Sequence, residues 1–573
     1  MNYEQFPATL IKNAKCYVGY DKIICEINSS IDKEQFLIAL EMYPGVNEKE
    51  VLENLCVFEG AKIFSTLEFF KNEKELNEML KYNLTDDRVF GKMFHGNIFD
   101  FIDNEKFVKM RKEIENEKGL KIIYGFGASL ISCDLNVYFD LSRWEIQQRY
   151  RSGMPNFNCS NDDSPILSKF KRGYFIEWRV ADKHKVSVMP RIDYFVDTNK
   201  ENNPKMITKK TLDHAMNLIS TKPFRTVPYF DPGVWGGQWM KEVCGLDKNK
   251  ENFAWSFDGV PEENSLLLDI DNHIFEFPAM TLVLMRPKQL LGEKVFARFG
   301  AEFPIRFDFL DTMEGQNLSL QVHPLTEYIK KEFGMTYTQD ESYYILDAKE
   351  DATVYLGVKE NTDSRKMMKE LRSANDGERS FDVDQYINKF PAKKHDHFLI
   401  PAGTCHCSGR NAMVLEISAT PYIFTFKLWD WGRLGLDGLP RPVHIDHGER
   451  VIQWDRTTTW VENNLINDIE TIEENSDFIE EHTGLHELEF IETRRYWINK
   501  VLKGESNGNV SMWNLVEGKE AIIESTANEF DPFIVHYAET FIIPASSGKF
   551  TIKPHGESNG KMIGVIKAYV RGC

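Results

Sequence analysis

The feature that most constrains this chain is a change in the period of its apolar residues near residue 210. Before it, KNEKELNEMLKYNL (71–84) and NEKFVKMRKEIENEKG (104–119) carry apolar side chains at helical spacing among strong helix formers. After it come short aromatic and β-branched runs: LLLDI, IFEFP, TLVLM, FPIRFDFLD, LSLQVHP, SYYILDA and TVYLGV, separated by Gly, Pro, Asn and Asp. The first pattern predicts a mixed α/β region, and the second predicts strands of a β-sandwich or jelly roll.

Local signals refine this division. LKIIYGFGASLIS (120–132) is an apolar run broken by two glycines. NVYFDLSRWEIQQRYRSG (136–153) reads as a strand end followed by a helix, with Asp140 or Ser142 as N-cap. KRGYFIEWRVADKHK (171–185) alternates and predicts a strand, and VDTNKENNPKM (196–206) is a turn-rich boundary. Residues 359–393 predict two helices inserted among strands, and strands return with DHFLIPAGT, AMVLEIS and YIFTFKLWD. The acidic stretch 464–482 predicts a solvated linker or helix. No repeat of fixed period is present, but the strand-rich blocks 275–420 and 487–573 suggest two barrels. The expected organisation is an α/β domain over 1–210, a metal-binding cupin domain over 211–463, and a linker with a second cupin-like β-domain over 464–573.

Composition narrows the function classes. The length of 573 residues gives a soft prior of about three or four domains. With 69 Lys and Arg against 88 Asp and Glu, the net charge is −19, which argues against nucleic acid or an anionic membrane as partner. A small anion held in a locally basic pocket stays compatible with that charge. The N-terminus has no apolar signal core, no run of about 18 apolar residues exists, and the nine cysteines are irregularly spaced. These features predict reduced thiols and a cytoplasmic location.

The chemistry concentrates in one constellation. In Gln321-Val322-His323-Pro324, a strand places Gln321 and His323 on one face. Eighteen residues beyond His323, Glu341 opens another strand, and Pro401-Ala402-Gly403-Thr404-Cys405-His406 turns His406 into a third. One amide oxygen, two imidazoles and one carboxylate suit Zn²⁺ or another first-row divalent ion. Singly, each residue reads as a packed histidine or a surface acid; together they read as a metal site in a double-stranded barrel.

These motifs resemble those of the class I mannose-6-phosphate isomerases, which are zinc-dependent cupins. The resemblance covers about residues 222–573 and includes Trp235-Gly236-Gly237, VPEENSLLL (260–268), FDFLD (307–311) and DWGRLGLDGLPRPVHIDHGERVI (430–452). It implies one Zn²⁺ per chain held by Gln321, His323, Glu341 and His406, with other divalent ions as substitutes. It implies Ser265 and Arg306 as contacts to a small phosphorylated sugar. It also implies Glu416 of VLEIS in proton transfer or substrate positioning, and Lys427 or Arg433 in holding phosphate or stabilising an enediolate. The implied activity is interconversion of mannose 6-phosphate and fructose 6-phosphate.

The chain departs from the family at two positions. Asp308 stands in the lysine slot of the Phe-Lys-Phe-Leu-Asp element, with Arg306 two residues earlier, and Lys427 stands where relatives have an arginine. Lysine keeps the charge but loses the planar bidentate fork. A non-catalytic metal-binding cupin that senses a sugar phosphate is therefore the alternative. Outside the resemblance, Tyr124-Gly125-Phe126-Gly127-Ala128-Ser129 precedes Arg143, Arg149, Arg151, Lys171, Arg172, Arg179, Lys183 and Lys185. This region has a faint similarity to the phosphate-handling part of nucleoside-kinase-type α/β domains, although it lacks the P-loop ending. It suggests a nucleotide or phospho-ligand site, and so a bifunctional protein. The competing reading pairs these cations with Glu145, Glu177 and Asp182.

Overall fold

The computed structural model describes residues 2–572 except 56, 57, 59, 420–423, 436, 437 and 439. Cys56, Cys573 and the start of the expected strand YIFTFKLWD therefore lie outside the described residues. The chain forms two compact units. One joins Ala8–Leu218 to Ser265–Met285, and the other joins Met1–Pro7, Ile219–Asn264 and Arg286–Cys573.

The smaller unit is built on a seven-stranded sheet. Five strands run parallel in the order Tyr194–Asp197, Leu135–Asp140, Phe36–Met42, Leu120–Gly125, Lys62–Ser65. Lys205–Thr208 and Tyr17–Val18 continue it antiparallel. FLIALEM is buried throughout, as a parallel strand covered on both faces must be. Its one carboxylate, Glu41, accepts hydrogen bonds of 2.7 Å from the N–H groups of both Gly127 and Ser129. The glycine turn expected to expose its amides to a phosphate thus gives two of them to a buried side chain. A three-stranded sheet of Ala8–Leu10, Ser265–Ile270 and His273–Pro278 completes the unit.

Ser142 caps the helix Arg143–Arg151 by accepting from the Glu145 N–H, as the sequence predicts. The stretch 171–185 is helical instead of a strand: Ile166–Arg172, a π turn over Gly173–Glu177, then Trp178–Val188. It is buried nearly all round, so its apolar pattern carried no usable period. Several cations of this stretch and of the helix Arg143–Arg151 are held in ion pairs. Arg172 pairs with Glu177 at 2.8 Å, Lys185 with Asp140 at 2.8 Å, Arg143 with Asp182, and Arg149 with Glu145 at 2.9 Å. Lys183 donates to the carbonyls of His95 and Gly96.

The larger unit stacks antiparallel sheets in two pairs. In the first pair, a six-stranded sheet runs His397–Ile400, Glu341–Ala348, Ala412–Ser418, Arg306–Asp311, Trp255–Gly259, Tyr229–Asp231. Its partner runs Ile387–Pro391, Thr353–Val358, His406–Ser408, Leu320–Val322, Phe426–Trp429. In the second pair, six strands including Ile491–Ile498, Ser511–Glu517 and Ile563–Val570 face four including Glu520–Ser525 and Lys549–Pro554. Trp513, Phe541, Phe550 and Ile563 form the core between them. None of the sheets closes on itself, so the expected barrels are double layers of open sheets.

Three further expectations are corrected. TLVLM lies in the helix Ala279–Met285. Of the two helices expected in 359–393, Ser364–Asn375 forms, but the second shrinks to Val383–Tyr386 and gives way to the strand Ile387–Pro391. The acidic 464–482 stretch is largely neither linker nor helix: Glu470–Glu474 and Phe478–Gly484 pair as a hairpin, the glutamates of the first strand exposed and Glu481 of the second paired with Arg495 at 2.6 Å. The seven described cysteines are free. Among the described residues, no helix is long and apolar enough to cross a membrane.

A candidate metal centre and its cleft

Strand geometry brings the expected ligands together between the two sheets of the first pair. Gln321 and His406 are register partners in one sheet, and Glu341 begins a strand of the other. His323 Nε2 lies 3.0 Å from Glu341 Oε2, and His406 Nε2 lies 2.9 Å from Glu341 Oε1. Gln321 Nε2 is 3.1 Å from His406 Nε2. His323, Glu341 and His406 are fully buried and form a group able to hold a metal ion.

The orientation of the rings decides whether these residues fit an ion. His323 Nδ1 faces the Phe424 carbonyl at 2.9 Å, and His406 Nδ1 faces the Thr404 carbonyl at 2.8 Å. A carbonyl only accepts, so each Nδ1 carries a proton and each ring presents its Nε2 to the carboxylate. A proton on Nε2 or a metal ion between ring and carboxylate satisfies that approach. His323 Nε2 and Glu341 Oε1 are buried without a hydrogen-bond partner, as ligand atoms awaiting an ion would be. Burial opposes charging His323, but Glu341 overrides it and raises the imidazole pKa. Burial likewise opposes the Glu341 charge, yet the two histidines hold its pKa far below the carboxylate range. The set therefore fits Zn²⁺ or a neighbouring divalent ion.

Beside this group opens a cleft of about 100 Å³, lined by Gln321, Gln339, Arg306, Asp308, Glu416 and Lys427 among others. Asp308 and Glu416 are register partners on adjacent strands. Burial, then the charges of Glu341 and Asp308, push the Glu416 carboxyl well above its usual range. Burial raises Asp308 to about 6 against the pull of Arg306, whose Nη2 is 2.6 Å from its Oδ2. The remaining guanidinium nitrogens of Arg306, Nε and Nη1, are buried without partners. Burial, then Arg441, lower Lys427 to about 7.

Two expected site residues stand elsewhere. Arg433 does not line the cleft; its guanidinium holds Asp430 at 2.6 Å and the Asn317 carbonyl at 2.8 Å. Ser265 belongs to the smaller unit, where its hydroxyl donates to Glu276 at 2.5 Å. Sequence reasoning missed Gln339 and Arg441. Gln339 donates to Glu341 at 2.8 Å, and its position two residues before that glutamate was the available signal. Arg441 reaches the cleft beside Ser319 and Asp430, and no local pattern announces it.

What fold and site define together is a double-sheet β protein with a nitrogen- and oxygen-donor metal site between its sheets. Comparison with known proteins places it near one set of enzymes. The chain is 23% identical over 236 residues to mannose-6-phosphate isomerase ManA of Bacillus subtilis, covering 41% of this chain and 69% of that protein. It is 25% identical over 221 residues to mannose-6-phosphate isomerase of Streptococcus mutans, covering 38% and 64%. The crystal structure of the Bacillus subtilis mannose 6-phosphate isomerase superposes with a TM-score of 0.50 at 19% identity, covering 61% of this chain and all of that one. The chain thus resembles mannose-6-phosphate isomerases over a segment, and the match in structure is one of fold. Residues 19–221 match a family described as a domain of unknown function (DUF8485).

Proposed function

We propose that the larger unit is a metal-dependent aldose–ketose isomerase that interconverts mannose 6-phosphate and fructose 6-phosphate. The observation that carries this reading is the His323–Glu341–His406 group, with both rings locked by backbone carbonyls, beside a cleft lined by the Glu416 carboxyl and the basic side chains of Arg306, Lys427 and Arg441. The activities of the relatives over the same kind of fold support it.

Isomerisation moves a proton between adjacent sugar carbons. A divalent ion on Gln321, His323, Glu341 and His406 would supply Lewis-acid polarisation of the sugar oxygens. Glu416 carries the mobile proton: its carboxylate takes the proton from one carbon and the resulting carboxyl returns it to the neighbouring carbon, and burial with neighbouring charge raises its pKa and strengthens it as a base. Arg306 and Lys427 supply positive charge for a phosphate or a developing enediolate. Gln339 steadies the Glu341 carboxylate by donating to its Oε2.

A second reading follows from the Arg306–Asp308 ion pair, which occupies the slot where relatives have lysine. If that pair holds Arg306 away from substrate, the unit senses a sugar phosphate without turning it over. A coupled assay with mannose 6-phosphate, run with chelator and after zinc repletion, decides between them. Absence of turnover in the repleted protein rejects the isomerase.

A further inference from the structure

The smaller unit contains a cavity that the isomerase reading does not use. It encloses about 400 Å³ and lies at the carboxyl ends of three parallel strands, Phe36–Met42, Lys62–Ser65 and Leu120–Gly125. Tyr43–Glu48 follow the first, Leu67 the second and Phe126 the third, and the segment 154–160 closes the remaining side. The strand Phe36–Met42 is where the order reverses: the chain goes to Lys62–Ser65 and Leu120–Gly125 on one side, then to Leu135–Asp140 on the other. Open α/β sheets bind ligands outside the carboxyl ends of strands at such a reversal.

The lining chemistry selects the ligand. No lysine or arginine is among the described residues that line the cavity. Its ionisable groups include two carboxylates, Glu48 and Glu73. Where a strand–loop–helix turn binds phosphate, a lysine enters with the loop; in this chain Glu48 starts the helix Glu48–Leu55 instead. Burial alone lifts the Glu48 carboxyl to about 7, so it both donates and accepts hydrogen bonds near neutrality. Phe126 and Phe157, crossed edge-to-face at 5.3 Å, add an apolar wall. Carboxyl groups beside aromatic rings suit vicinal hydroxyls on an apolar ring face, and they repel phosphate.

We propose that this cavity binds an uncharged, polyhydroxylated ring compound, either a free sugar or the sugar of an unphosphorylated nucleoside. Glu48, on the cavity wall, holds its hydroxyl groups.

The test is saturation-transfer NMR on the full chain with D-mannose, adenosine and ATP as separate probes. It is repeated on Glu48→Lys, on Ser160→Trp at the exposed rim, and on His406→Ala. Expected is a signal from mannose or adenosine that survives His406→Ala. Affinity should fall about tenfold in Glu48→Lys or Ser160→Trp, the loss of one charge-assisted hydrogen bond. Mannose alone marks a sugar site, and adenosine alone a nucleoside site. The proposal is overturned if neither neutral probe binds or if the native chain prefers ATP. It is also overturned if the signal disappears with His406→Ala and persists in both cavity variants, because the ligand then sits in the metal-site cleft. Failure of the isomerase assay leaves this outcome untouched, so the two readings fail separately.

Discussion

The metal centre gives the sharpest expectations at the level of single residues. His406→Ala removes a ligand whose other ring nitrogen is tied to the main chain, so bound metal and turnover fall together while the sheets persist. Metal content by mass spectrometry and a circular dichroism spectrum check this; full metal occupancy in the variant would move the site elsewhere. Glu416→Gln keeps the shape of the cleft and removes the proton carrier. It lowers kcat by about 10²–10⁴ with little change in KM, read from steady-state kinetics. Lys427 sets a pH dependence. With its pKa lowered to about 7, the side chain is charged below that pH and loses charge as the pH rises through it. For an anionic substrate kcat/KM therefore declines above about pH 7, and Lys427→Arg removes the decline. An unchanged profile in that variant would assign the decline to another group.

Elements differ in how much of them was legible. Strands with one buried face showed their alternation, and the QxHP and PAGTxH segments placed His323 and His406 because side-chain direction in a strand follows from sequence position. The helices over 166–188 were not legible, because burial on all sides erases the period that separates helix from strand. The hairpin at 470–484 was missed for the opposite reason: its first strand is exposed throughout, and its pairing rests on backbone hydrogen bonds that leave little trace in hydropathy. The approach of Arg441 depends on how its segment folds over Ser319 and Asp430, which residue spacing does not encode. The second sheet pair rests on a few large side chains. Trp513 is 1% exposed, stacked against Tyr496 and Phe541, so Trp513→Ala costs about 3–5 kcal/mol. A denaturant melt followed by circular dichroism reads that loss.

For the whole molecule, the informative fact is that the smaller unit takes its residues from two separate parts of the chain. Leu266, Leu268, Phe275, Phe277 and Leu282 of the second part are at most 2% exposed. A fragment limited to residues 8–218 lacks them, and it also lacks the partner strand of Ala8–Leu10. Such a fragment melts at a lower temperature than one that also carries 265–285, a difference that differential scanning fluorimetry resolves. Equal melting temperatures would mean that the second part contributes no stability.

The same division sets an order of events during synthesis. A nascent chain emerges from its N-terminus at about 5–20 residues per second. Residues 8–218 are all synthesised before Ser265–Met285 exist, so for seconds Ala8–Leu10 waits without its partner strand. Completion of the smaller unit is timed by translation of sequence on the far side of Ile219–Asn264.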